Sequence, residues 1–143
     1  MSSLIVMGHS AGGHMALWAA AQEQVPGIRA CVGLAAISDL VTYAGGTSAC
    51  EQATVSLLGG SPEALPARYQ AASPLLLPSQ TPTVLVHGTG DTIVSPLQSE
   101  TFAREKGARY IAIDGLGHFD LVNPASIAWP VLSRLLLELA DDA

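Results

Sequence analysis

Four short stretches of the chain are almost unbroken in apolar residues: Leu4–Met7, Ala30–Ala35, Thr83–His87 and Tyr110–Ile113. A strand with one wet face alternates apolar and polar side chains, whereas a strand covered on both faces of a parallel sheet reads as a continuous apolar run. These four stretches are therefore expected to be buried strands. Between them lie helical patterns. Residues 13–22 are rich in alanine, with Met15, Trp18 and Ala19 on one face, and Pro26-Gly27 stops the helix. Residues 96–106 begin with Ser95 as N-cap and Pro96 at the first helical position, and end at Gly107. A last helix runs from Pro124 or Ile127 to Ala140, and Pro130 either starts it or kinks it. The stretch 38–82 differs in texture. It carries Gly45-Gly46, Gly59-Gly60 and prolines at 62, 66, 74, 78 and 82, with short helices expected over 51–58 and 62–69, and forms a long excursion that is a candidate cap. Strand, helix, strand, excursion, strand, helix, strand, helix is the order of an α/β sandwich built on a mostly parallel sheet.

The length of 143 residues fits one domain over 1–143 with a sizeable core, which excludes disorder for most of the chain. Charged residues make up only 13%, about half the usual share of ~25%, so some apolar surface is expected to be covered by another subunit. The formal net charge is −6, and the six basic residues are scattered singly, which leaves no basic patch for nucleic acid. Cys31 in an apolar run and Cys50 in a polar loop make neither a disulfide framework nor a metal site. No run approaches the ~20 apolar residues of a membrane helix and no leader pattern precedes Leu4, so a soluble cytoplasmic protein with no membrane partner is the expectation.

The first strand leads straight into Gly8-His9-Ser10-Ala11-Gly12-Gly13, a G-x-S-x-G pentapeptide followed by one more glycine. A serine on a tight strand-to-helix turn needs neighbours without side chains, so that the turn can close and a substrate can reach Ser10. The N–H of Ala11 at the start of the following helix can then donate to a developing oxyanion. By chance about one chain in twenty of this length contains the pentapeptide, and it is the setting between strand and helix that gives it weight. The third strand ends in His87-Gly88-Thr89-Gly90-Asp91, and the fourth is followed by Gly115-Leu116-Gly117-His118-Phe119-Asp120. An Asp after Gly is commonly a turn residue, and a lone His is more often structural than catalytic. Ser10, Asp91 and His118 in that chain order at three strand ends suggest nucleophilic acyl transfer, with His118 taking the proton of Ser10 and Asp91 holding the imidazole. Asp114 and Asp120 are alternative acids. His9 is expected to pack beneath the turn, His14 to lie on the helix surface or line a pocket, and His87 to brace the Asp91 loop. Trp18 and Trp129 read as packing residues. No pair of histidines has metal-ligand spacing, and no dinucleotide or phosphate loop occurs, so no metal or organic cofactor is expected.

The stretches GHSAGGHMALWAA at 8–20, AASPLLLP at 71–78, VLVHGTGDTIVS at 84–95 and GHFDLVNPASIAW at 117–129 together resemble the C-terminal half of an α/β-hydrolase, in the esterase/lipase and prolyl-oligopeptidase-like branch. The resemblance implies Ser10 as nucleophile, Asp91 as acid and His118 as base, and equates the four strands with the last four of the family's sheet. Relative to that pattern the chain is expected to be a truncated α/β-hydrolase fold of about four strands, without the N-terminal strands and the His-Gly-rich loop that supplies a second oxyanion N–H. Loss of one such donor typically costs ~3 kcal/mol of transition-state stabilisation. The strand Leu4–Met7 is then left at an open sheet edge with uncovered faces, and a homo-oligomer formed through it is expected. The expected activity is hydrolysis of small, short-chain carboxylic esters through a Ser-His-Asp triad and an acyl-enzyme. The alternatives are an amidase or peptidase of the same fold, and a non-catalytic oligomerising or complementing fragment that retains the triad.

Overall fold

In the computed structural model, which describes residues 4–141, all four expected strands form and run parallel in the order β1-β2-β3-β4. They are β1 (Leu4–His9), β2 (Ile28–Leu34), β3 (Thr83–Gly88) and β4 (Arg109–Ile113). The helices are α1 (Ala11–Ala20), α2 (Leu40–Ala44), α3 (Ala49–Leu58), α4 (Pro66–Ala72), α5 (Leu97–Lys106) and α6 (Ala128–Asp141). Two short 3₁₀ turns, Pro74–Leu76 and His118–Val122, complete the chain.

In β2 and β3 the continuous apolar runs have the physical cause assigned to them, whereas β1 and β4 at the sheet edges are half-exposed. Alternate residues of β2 and β3 enter two different cores. Val32, Leu34, Val84 and Val86 meet Leu121, Ala128, Leu132 and Leu135 on one face, which places α6 there. Cys31 and Leu85 meet Ala16 and Leu17 of α1 and Phe102 of α5 on the other. Burial of Cys31 among these side chains pushes its thiol pKa up to about 12. The chain thus forms three layers, a helix pair, the sheet and α6, as a parallel sheet requires.

Several boundaries differ from the sequence reading. The first helix starts two residues early, at Ala11, because Ser10 itself makes the turn. Pro96 is the N-cap of α5 rather than its first residue, and Ser95 Oγ accepts from Leu97 N–H. Pro130 is the third residue of α6, where its missing N–H is one that the helix start leaves unpaired in any case, so it opens the helix and does not kink it. The stretch 38–82 is more helical than its prolines and glycines suggest. It owes this to Asp39, which caps α2, to a Ser48/Glu51 capping box on α3, and to a third small core of Ile37, Leu40, Tyr43, Tyr69 and Val94. Trp18 and Trp129 are partly exposed, not packed. Trp18 Nε1 and His14 Nε2 instead donate to the carbonyls of Ala71 and Ala72, which the end of α4 leaves unpaired. At β1 the faces are only partly covered: Ile5 and Val6 are half-buried against the opposite cores, while Leu4 and Met7 are exposed, and the outer hydrogen-bonding edge stays open.

Where α1 begins, the packing is tight. A Cβ on Gly13 would lie 2.6 Å from Ala36 Cβ, whereas one on Gly12 would meet nothing within 4 Å. Gly→Ala inside a helix normally stabilises by roughly 0.5–1 kcal/mol. Gly12→Ala is expected to show that gain in urea denaturation, while Gly13→Ala loses about 1–3 kcal/mol from overpacking.

Candidate functional site

Because all strands are parallel, the loops after β1, β3 and β4 emerge at one end of the sheet, where open α/β sheets place their functional groups. Ser10 sits between β1 and α1 with φ 57° and ψ −118°, a conformation that non-glycine residues rarely adopt. Two backbone bonds hold it there: Ser10 N–H donates to Leu34 O at 2.9 Å, and its carbonyl accepts from His14 N–H at 3.0 Å. A Cβ on Gly8 would collide with the Gly12 carbonyl, so the strand-to-helix turn closes only without that side chain. The N–H of Ala11, first in α1, has no acceptor within the helix, and the residue is exposed beside Ser10.

Asp91 and His118 are brought together. His118 Nδ1–H donates to Asp91 Oδ2 at 2.7 Å, and both side chains are buried. The other carboxylate oxygen, Oδ1, accepts from the N–H groups of Ile93 and Val94, each at 2.9 Å. Burial by itself would raise the Asp91 pKa, but the hydrogen bonds from His118, Val94 and Ile93 overcome it and hold the carboxyl below its ordinary range. Backbone contact sets the two loops. Gly90 N–H donates to Leu116 O at 3.0 Å, and a Cβ on Gly88 would strike that same carbonyl. The alternative acids are occupied elsewhere: Asp114 accepts from the Thr89 hydroxyl, and Asp120 from Gly117 N–H.

Two further histidines surround this pair. His87 is fully buried, and its Nε2 faces two acceptors, Val94 O at 2.9 Å and Asp91 Oδ2 at 3.2 Å, so this nitrogen carries the proton. Nδ1 then accepts from the Ser99 hydroxyl at 2.7 Å. Burial lowers the His87 pKa against the opposing pull of the Val94 carbonyl and the Asp91 charge. His9 does not pack beneath the turn as its position suggested. It points across to the His118 loop, where Nε2–H donates to the His118 carbonyl at 2.8 Å. Ser10 and His118 themselves are joined by no hydrogen bond among the described residues; the loops that carry them meet through His9.

The BD-FAE family model matches residues 1–105. The chain belongs to the BD-FAE family. The matched span of this α/β-hydrolase-type family includes Ser10 and Asp91 and ends before His118. Among solved structures, the BD-FAE chain is similar to a puromycin-hydrolyzing peptidase of Mycobacterium tuberculosis, at 30% identity and TM-score 0.72 over 96% of this chain and 21% of that one. A truncated form of a carbohydrate esterase from gut microbiota matches with TM-score 0.81 at 17% identity, over 98% of this chain and 60% of that one. An acylaminoacyl peptidase of Pyrococcus horikoshii matches with TM-score 0.80 at 19% identity, over 98% and 24% respectively. The last two establish the α/β-hydrolase fold. In each comparison this chain spans less than two thirds of the other protein's length. No curated protein matches it.

His9, His87 and Asp91 all hold their protons less readily in the folded state than in the unfolded chain. The unfolded state then binds more protons on acidification, so stability is complete above the ordinary histidine range and falls as pH drops. The Tm is expected to decline as pH is lowered from 8 through about 6.5, where unfolded histidines protonate, and again below about 4 as unfolded carboxylates do. A Tm constant between pH 8 and 5 in scanning calorimetry would contradict the neutral state of the two histidines.

Proposed function

We propose that the chain is a serine hydrolase that cleaves small carboxylic esters through Ser10, His118 and Asp91. The observation that carries this reading is the buried His118–Asp91 pair at 2.7 Å, at the same sheet end as a serine held in a rare backbone conformation. In this mechanism His118 Nε2 accepts the hydroxyl proton as Ser10 Oγ bonds to the ester carbonyl carbon. The carbonyl oxygen takes up the displaced electron pair and is stabilised by the Ala11 N–H and the N-terminal end of α1. Collapse of the tetrahedral intermediate breaks the bond to the alcohol oxygen, which leaves with the proton from His118. A water, deprotonated in turn by His118, then releases the acid and restores Ser10. Asp91 stays ionised throughout, keeps the proton on Nδ1 and stabilises the imidazolium.

A peptidase or amidase activity is the second reading. It is favoured by the likeness at 29% and 30% identity to proteins described as a puromycin hydrolase and a puromycin-hydrolyzing peptidase. A cytoplasmic setting is consistent with two unpaired cysteines, one of them exposed. A second copy of the chain pairing along the free edge of β1 fits the exposure of Leu4 and Met7 there. Light scattering is expected to report a dimer or larger assembly, and a monodisperse monomer would reject that pairing.

Hydrolysis of 4-nitrophenyl acetate and butyrate is expected to fall at least about 100-fold in Ser10→Ala, with the far-ultraviolet circular dichroism unchanged. Asp91→Asn is expected to fall by about 10²–10⁴-fold through loss of the correct His118 tautomer. Equal rates for wild type and Ser10→Ala would leave only a non-catalytic or complementing role.

A further inference from the structure

His9 occupies the second position of the G-x-S-x-G turn, and the reaction above gives it no part. Its placement is specific. Nε2–H reaches the backbone carbonyl of His118 at 2.8 Å, across 109 residues of sequence. Its ring lies 4.5 Å from the His118 ring and 6.0 Å from that of Phe119, which itself meets His118 edge-on at 5.1 Å. A carbonyl only accepts, so the contact puts a proton on Nε2 of His9, which in the neutral ring is the Nε2–H tautomer. Burial favours that neutral form, and so does the neighbouring His118.

We infer that His9 is a positioning residue, a strut from the Ser10 turn to the His118 loop that sets the approach of the base to the nucleophile. The inference rests on the serine-hydrolase reading and deepens it. β1 and β4 lie at opposite ends of the sheet order with two strands between them, so nothing in the sheet itself holds the Ser10 turn to the His118 loop. Ser10 is anchored through its backbone to β2, and His118 through its side chain to the loop after β3. His9 closes this arrangement directly. The groups that bear charge or a proton around His118 are Asp91, His87 and His9 itself. A neutral strut adds no positive charge where His118 becomes imidazolium during acyl transfer.

The test compares His9→Phe, which keeps an aromatic ring and loses the N–H donor, with His9→Gln, which keeps a donor and loses the ring, both in the full chain. With 4-nitrophenyl acetate, His9→Phe is expected to lower kcat by about 10- to 100-fold with KM within about twofold, because loss of alignment acts on the chemical step. His9→Gln is expected to recover most of that loss. Unchanged kcat in His9→Phe, or equal loss in the two variants, would overturn the strut. Amide hydrogen exchange over 118–122 provides a readout that needs no activity: it is expected to quicken in His9→Phe and to stay near wild type in His9→Gln. If Ser10→Ala matches wild type in rate, the hydrolase reading fails, while exchange still decides whether His9 holds the loop. Identical exchange in all three proteins would refute the contact itself.

Discussion

The structure depends on a backbone contact between two loops. Gly90 N–H meets the Leu116 carbonyl at 3.0 Å, and no side chain larger than hydrogen fits at Gly88 on the same approach. Neighbouring strands bring the roots of these loops together, but strand spacing alone leaves Asp91 and His118 to find each other. The close contact removes that freedom. Once Leu116 rests on the glycines, His118 is delivered to the carboxylate with its Nδ1 edge foremost. Thr89 reinforces the arrangement, since its N–H donates to Ile113 O and its hydroxyl accepts from Gly115 N–H.

Asp91 is the electrostatic consequence. A buried carboxylate is costly unless its oxygens are satisfied, and here each has partners: two amide N–H groups on Oδ1, and His118 with His87 nearby on Oδ2. The amide donors come from Ile93 and Val94, in a loop that His87 fastens through the Val94 carbonyl and that the small core of Tyr43 and Tyr69 covers. The stretch 38–82 therefore contributes to the site indirectly, by packing against the residue whose N–H holds the carboxylate. Helices α2 and α4 are short, and their contribution lies in this packing more than in their own helicity.

Much of this was legible in the sequence. β2 and β3 are covered on both faces and so are apolar almost throughout, and together with the shorter edge runs of β1 and β4 this sufficed to place the sheet. The candidate residues lay at strand ends, and a parallel sheet gathers strand ends at one edge. The illegible parts depend on direction rather than position. Nothing local distinguishes a His9 that turns under its own strand from one that reaches 109 residues away to a carbonyl. The helices of 38–82 were obscured because their stability comes from caps and from a tertiary core, whereas glycine and proline dominate the local signal. Trp18 read as core because helical spacing shows which residues share a face, and not whether that face is covered.

Ser10 shows how strain and stability coexist at such a site. A serine at φ 57° gives up part of its conformational energy, and nothing in the residue itself favours the state. What holds it is the packing on either side: its N–H bonded to Leu34 O at the end of β2, and Gly13 pressed against Ala36 just beyond. Ala35, between those two anchors, is itself at φ 46° and fully buried, with its N–H on Val86 O. Two non-glycine residues in the left-handed region thus face each other across adjacent strand ends, each fixed by the strand next to it. Relaxing Ser10 would break its bond to Leu34 O, and relaxing Ala35 its bond to Val86 O. The half-buried serine thus sits in a conformation that the neighbouring strand, as well as the turn itself, maintains.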